Sequence, residues 1–340
     1  MNMIRRVTRQ REFMIGAIVA VGFVSMSFAS PYFISSGNLL ALLLGLSIEA
    51  IVAVAMTNLM VAGGFDMSVG SVVAFTGAAT ALLLTAEVPV ALAVLIGVGI
   101  GAFIGLFNGL IVSKLGINPF VTTLSSLSLF RGLTLILTKG KNISGLPDTF
   151  KALGQATLFG VQTPIIIAFV LIAGGDLLLR RFRFFRQSYY IGGNERAARL
   201  SGIPVDRMKT LAYVLTGLFA GLAGVVMTAR LGAASVTAGT GLELRVITAV
   251  IIGGASLQGG EGTVLGAFLG SLLMALITNA LTLLGVDVYW QTFVIGGTLL
   301  AAVLVDRMGK AREASGPGRR AGSRAGLPKT QVSEAPGGAP

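Results

Sequence analysis

In the stretch GGFDMSVG, residues 63–70, the carboxylate of Asp66 and the hydroxyl of Ser68 stand between two long apolar runs. A second polar group follows in NPFVTTLSSLSLFRG. There Asn118, Thr122, Ser125 and Ser126 recur with Leu129 at helical spacing and share one face. A carboxylate in apolar surroundings can hold a proton or a cation, and a face of amides and hydroxyls can line a path for a polar solute. The same hydroxyls can instead bond their own i−4 carbonyls and pack against neighbouring helices. Spacing leaves both readings open for Asn118, Thr122, Ser125 and Ser126, while Gly63, Gly64 and Gly70 favour a structural break at Asp66, its carboxylate met by Ser68 or the following amides. All six are candidates for a translocation pathway. Catalysis has little to work with, because the chain has no histidine and no cysteine. That removes the commonest general base and metal ligand and the thiolate nucleophile. No nucleophile–base pair is visible, so we expect no catalytic residue, no metal site and no cofactor in this chain.

The elements that must position these residues are apolar helices. Of 340 residues, 54% are hydrophobic and only 12% charged, about half the charged fraction usual for a soluble domain. The runs are continuous rather than alternating, which speaks against a β-barrel. The pattern predicts an all-α polytopic membrane protein of about ten transmembrane helices. The expected spans are 13–30, 39–62, 67–85, 89–112, 119–138, 163–180, 210–229, 246–258, 263–284 and 290–305; the eighth is short for a full crossing. The expected organisation is a cytoplasmic N-terminus over 1–12, a membrane domain over 13–306 with a long loop at 180–209, and a basic tail over 307–340. That tail is too poor in apolar residues to fold and reads as disordered.

The formal charge of +12 could suggest nucleic acid, but its placement argues for none. With ten spans, Lys139, Lys141, Lys151 and Arg230 fall on one side, while Arg131 and Arg245 fall within or near spans. The rest of the 26 lysines and arginines fall on the other side. That asymmetry places both termini in the cytoplasm. Glu49, Asp66, Arg131 and Asp176 must face protein or a wet cavity, because a charge at a helix centre costs about 2.5–3.5 kcal/mol on insertion scales. Asp176 is in reach of Arg180 one turn on. Gly97, Gly101, Gly105 and Gly109 line one face, as do Gly217 with Gly221 and Gly262 with Gly266 and Gly270. These are expected to be close-packing surfaces.

The loop has order of its own. In IGGNERAARLSGIPVDRMK, Asn194 can cap a short helix with Glu195 in its first turn. Gly202 can end that helix and Pro204 can open the next one at its first position. The result is an elbow feeding into the seventh span.

Five stretches, GGFDMSVGS, NPFVTTLSSLSLFRGL, YYIGGNERAARLSGIPVDRMK, GTGLELRVITAVIIGGASLQGGEGTVLGA and NALTLLGVDVYWQ, occur in this order. Together they resemble the permease subunit of ribose-, xylose-, arabinose- and galactoside-type ABC sugar importers, over residues 38–305. The resemblance implies a bacterial inner-membrane protein paired with a second permease subunit, identical or not. It also implies a cytoplasmic ABC ATPase, commonly a fused double domain, and a periplasmic or lipid-anchored sugar-binding protein. ATP would bind the ATPase; this chain has no GxxxxGK[ST] motif of its own. NERAARLSG is similar to the coupling loop of such permeases, which assigns ATPase coupling to Asn194, Glu195, Ala197, Ala198, Arg199 and Gly202. Glu49 and Arg245 stand where the family more often carries other residue types, and Ile295 falls where a lysine is common. The expected function is import of a pentose, hexose or related polyol. The alternatives are a nucleoside or branched-chain amino-acid ABC permease, and a gradient-driven carrier using Asp66 or Glu49 as a proton site.

Overall fold

The computed structural model describes residues 2–315. The chain is a bundle of helices: α1 (Asn2–Ala29), α2 (Ser36–Val61), α3 (Val69–Thr85), α4 (Val90–Ser113), α5 (Pro119–Thr138) and a short α6 (Asp148–Gln155). A two-residue hairpin, β1 (Thr157–Leu158) and β2 (Val161–Gln162), precedes α7 (Thr163–Arg181). Then come α8 (Arg183–Gly193), α9 (Glu195–Leu200), α10 (Val205–Leu231), α11 (Leu242–Ile252), α12 (Val264–Leu283) and α13 (Val288–Ser315). Among the described residues, seven helices are long and apolar enough to cross a membrane: α1 from Arg11, α2, α4, α5, α7, α10 and α12. The apolar helices Val69–Thr85 and Tyr289–Leu304 are shorter. The last helix continues to Ser315, past the boundary expected at 306. The remainder of the basic tail lies outside the described residues.

Capping residues set where the helices begin. Ser35 Oγ accepts the Asn38 amide (3.3 Å) at the start of α2, and Thr263 Oγ1 accepts the Gly266 amide (3.0 Å) at the start of α12. From Leu46 to Val61 α2 is buried on every side, which makes it the centre of the bundle. Ile51, Met56 and Leu59 from it meet Val69, Val73, Tyr213, Val246 and Val250 in the main core.

The glycine faces meet each other. α4 lies against α10 so closely that a Cβ built at Gly101 would strike the Gly217 carbonyl oxygen, and one at Gly217 the Gly101 carbonyl oxygen. One at Gly105 would come 2.9 Å from the Val214 Cα. The second pair of small-residue faces joins α12 to α11, Gly270 against Ala249 and Gly266 against Gly253.

The eighth expected span, 246–258, is not a continuous crossing. Helix α11 stops at Ile252, and the Gly253–Gly254 turn that follows has Gly254 at φ +94°. Before α11, residues 232–241 form no helix. An antiparallel bridge beyond the end of α5 holds this segment, with the Ile143 amide on the Ala234 carbonyl (3.0 Å) and the reverse bond at 2.9 Å. From there it runs back beside α5, because Arg131 Nη1 donates to the Val236 (3.1 Å) and Ala238 (2.9 Å) carbonyls. At its end Gly239, in the left-handed region, packs directly on the backbone of Gly70 in the first turn of α3. Irregular backbone among apolar helices survives only where its polar groups are satisfied by protein or by a wet cavity. Arg131 supplies that for two carbonyls, and they in turn hold its charge.

Gly101→Val or Gly217→Val should push α4 and α10 apart and destabilise the fold by about 1–3 kcal/mol or more. Gly99→Val on the same helix, where a side chain meets nothing within 4 Å, should be silent. Thermal unfolding of the detergent-solubilised protein measures the difference; equal midpoints for the three variants would refute this account of the packing.

Candidate functional site

Two arrangements gather the candidate side chains, one inside the bundle and one at its edge. Inside, Asp66 is 1% exposed and Ser68 is fully buried. Asp66 Oδ1 accepts the Ser68 amide at 2.7 Å and the Ser68 hydroxyl at 2.6 Å. From α4, Asn108 Nδ2 donates to Ser68 Oγ (3.0 Å) and, more weakly, to Asp66 Oδ2 (3.4 Å). Ser126 on α5 donates in turn to Asn108 Oδ1. Four side chains thus tie the break between α2 and α3 to α4 and α5. A buried carboxylate is tolerated when its lone pairs are met by donors, and here each oxygen meets at least one. The network locks helices together, with Asp66 Oδ1 meeting two donors and Oδ2 one long contact.

The six expected pathway residues separate. Asp66, Ser68 and Ser126 belong to the network. Thr122 is buried one turn before Ser126, and its Oγ1 has no hydrogen-bond partner. Asn118 caps α5, accepting the Phe120 amide at 2.8 Å, and is exposed. Ser125 is exposed as well and bonds back to the Val121 carbonyl at 2.8 Å. The shared face inferred from spacing is therefore split along its length. Thr122, Thr123 and Ser126 turn inward, while Asn118 and Ser125 lie on the edge that turns out. Asn108 escaped the sequence reading. Its signal was available: an amide in the apolar helix GLFNGL must find a partner.

At the edge, the elbow forms as the residue types dictate. Asn194 Oδ1 accepts the Ala197 amide at 3.0 Å and caps α9. Gly202 takes φ +79° and ends it. Pro204 occupies the cap of α10 rather than its first helical position. Ala198 is buried with Ile191, Val205 and Met208 in a small core of the elbow's own. Glu195 and Arg199 bond to each other (3.0 Å). Arg199 also takes both oxygens of Asp206, Nη1 to Oδ2 at 3.2 Å and Nη2 to Oδ1 at 2.5 Å. Lys209 reaches the other Glu195 oxygen at 2.6 Å. The Lys209 hydrogen bond, helped by Arg199, lowers the Glu195 pKa below its ordinary value, and Asp206 together with Glu195 raises that of Arg199. For a depressed acid, the associated stability is present above the ordinary glutamate value and is lost as pH falls through the lower folded value. This network therefore holds at neutral pH and weakens only in strong acid. The exposed residues of α9 are Arg196, Ala197, Arg199 and Leu200, the last 91% exposed, and of these Arg199 is engaged in the charge network.

Comparison with known proteins adds the family. Residues 38–303 match the family model described as branched-chain amino acid transport system / permease component. The chain belongs to this permease family. It is 40% identical to the ribose import permease protein of Bacillus subtilis (strain 168) over 289 residues, covering 84% of this chain and 89% of the relative. The D-allose transport system permease protein of Escherichia coli (strain K12) is 36% identical over 87% of this chain and 90% of its own. The L-arabinose permease protein of the same strain is 37% identical over 85% and 88%. No solved structure matches the chain. Membership makes this chain a transport permease subunit rather than an enzyme, a multi-pass protein of the bacterial inner membrane.

Asp66→Ala should leave the Ser68 amide and hydroxyl buried without an acceptor, at about 1–3 kcal/mol for each unmet group. The expected result is a lower unfolding midpoint of the solubilised permease, with loss of transport following loss of fold. An alanine variant that keeps the wild-type midpoint yet fails to transport would make Asp66 a ligand instead.

Proposed function

We propose that this chain is the membrane subunit of an ATP-driven importer for a small sugar or polyol, with ten membrane crossings and both termini in the cytoplasm. The observation that carries the sugar is the set of near-full-length relatives named for ribose, D-allose and L-arabinose. Two copies, or this chain and a second permease, enclose the path. A sugar-binding protein delivers substrate on the outer side, and a cytoplasmic ATPase subunit binds ATP.

The elbow supports this reading by the way it is fastened. Arg199 and Glu195 join α9 to the first turns of α10 through Asp206 and Lys209. Helix α10 in turn lies backbone to backbone on α4. A force on α9 from a partner is thus passed into two long helices without a soft joint between. Closure of the ATPase on ATP moves residues 194–209, tilts α10 with α4 and opens the path outward; hydrolysis resets it. In this scheme Arg196, Ala197 and Leu200 form the contact with the ATPase. Glu195, Ala198, Arg199 and Gly202 shape the element that makes it.

A second reading within the family has one observation behind it, the family description itself, which names branched-chain amino acids. Uptake by the reconstituted complex, with labelled ribose, allose and arabinose set against leucine, separates the two. The gradient-driven alternative predicts uptake by the permease alone under a proton gradient, and we expect none.

Leu200→Asp should cut co-purification of the ATPase and ATP-dependent uptake by about tenfold or more, the scale of losing an exposed apolar anchor at an interface. It should leave the unfolding midpoint of the permease within about 0.5 kcal/mol of wild type, as for other surface changes. Arg199→Ala should weaken both assembly and the midpoint. Full uptake by Leu200→Asp would refute the assigned contact face.

A further inference from the structure

Four charged side chains gather beside the start of α11, on groups the Asp66 network does not use. Glu49 lies about 20 Å along α2 and Arg131 about 18 Å along α5 at the helical rise per residue, close to mid-span in both. Arg245 and Glu243 sit in the first turn of α11. Arg131 is engaged with the carbonyls of residues 236 and 238. The other three are under-used. Glu49 Oε2 stands 3.8 Å from Arg245 Nε, an ion pair too long for a hydrogen bond. Its Oε1 is buried without any hydrogen-bond partner, in a side chain only 7% exposed. Glu243 Oε2, beside Gly70, is likewise buried and unpartnered. The Arg245 side chain is 29% exposed and makes no hydrogen bond among the described residues.

Unmet buried acceptors beside an unmet donor are costly to a fold, so the arrangement calls for a ligand that supplies both roles. An ionised carboxylate accepts only and a guanidinium donates only. A hydroxyl does both, and neighbouring hydroxyls on one ring can bridge the two kinds of group. We propose that Glu49, Glu243 and Arg245 form a hydroxyl-binding station for the transported sugar, reached when the helices around α11 part. This rests on the sugar-import reading above. The Glu49–Arg245 pair closes the station when it is empty, and the sugar takes the place of that loose contact.

The test uses the complete transporter, permease with its ATPase and binding protein, in proteoliposomes with labelled ribose, allose and arabinose. Glu49→Gln and Arg245→Gln should each lower uptake per assembled complex by about tenfold or more, the weight of one charge-assisted hydrogen bond. The swap of Glu49→Arg with Arg245→Glu should not restore it. Because the chain has no cysteine, Arg245→Cys places a single thiol in the permease. A charged, water-soluble thiol reagent should label it during ATP turnover, and saturating sugar should slow that labelling. Wild-type uptake in the charge-swapped protein would reduce the pair to a structural contact and overturn the proposal. So would undiminished uptake in both glutamine variants, or labelling that sugar leaves unchanged. If the wild-type complex hydrolyses ATP with its binding protein but carries no pentose, hexose or polyol, the import reading itself fails.

Discussion

A backbone amide or carbonyl surrounded by hydrocarbon has no water to fall back on, and this constraint shapes the departures from simple helices in the chain. Residues 232–241 leave the helical state among apolar helices. They can do so because Arg131 and a bridge to Ile143 occupy polar groups of the segment, while Gly239 packs closely on Gly70. At the break between α2 and α3, Asp66 serves a similar end. It accepts the amide of Ser68 and is itself met by Asn108. In both places a charge that looks expensive from the sequence is held by the irregular backbone it supports.

The glycine faces express the same constraint through packing. Lipid is as apolar as leucine, so helices gain little from hydrophobic burial and associate by close contact instead. On α4 and α10 the contact is made by backbone rather than side chains, which leaves little room for one helix to shift alone. The elbow, by contrast, sits outside the bundle and uses the devices of a soluble protein: a side-chain cap, a small apolar core and a four-residue charge network. Its charges hold its own shape.

Helix positions were legible because hydropathy and period report burial directly, and the elbow was legible because Asn194, Gly202 and Pro204 are specific punctuation. Three things were hidden. The split of the α5 polar face depends on which neighbour packs against it, so Asn118 and Ser125 could not be told from Thr122 and Ser126 by spacing. The partners of Glu195 and Arg199 lie across the turn, at Asp206 and Lys209, where local helix rules do not reach. The broken eighth segment reads as a short span because VITAVIIGGASLQ is apolar throughout; its interruption comes from the Gly253–Gly254 turn and from contacts made by residues distant in sequence.

Helix α11 has fixed attachments on both sides. Before it, residues 234–238 are fastened to α5 and to the loop beyond; after it, the Gly260 amide is held by the Val61 carbonyl at the end of α2 (2.8 Å). A helix does not stretch, so α11 behaves as a strut between two pins. With the α5 end held, a displacement of the Gly260 end passed through the glycine turn would swing α11 rather than slide it. That rotation would sweep Arg245, near the fixed pin, through only a small arc, while the glycine turn at the far end travels furthest.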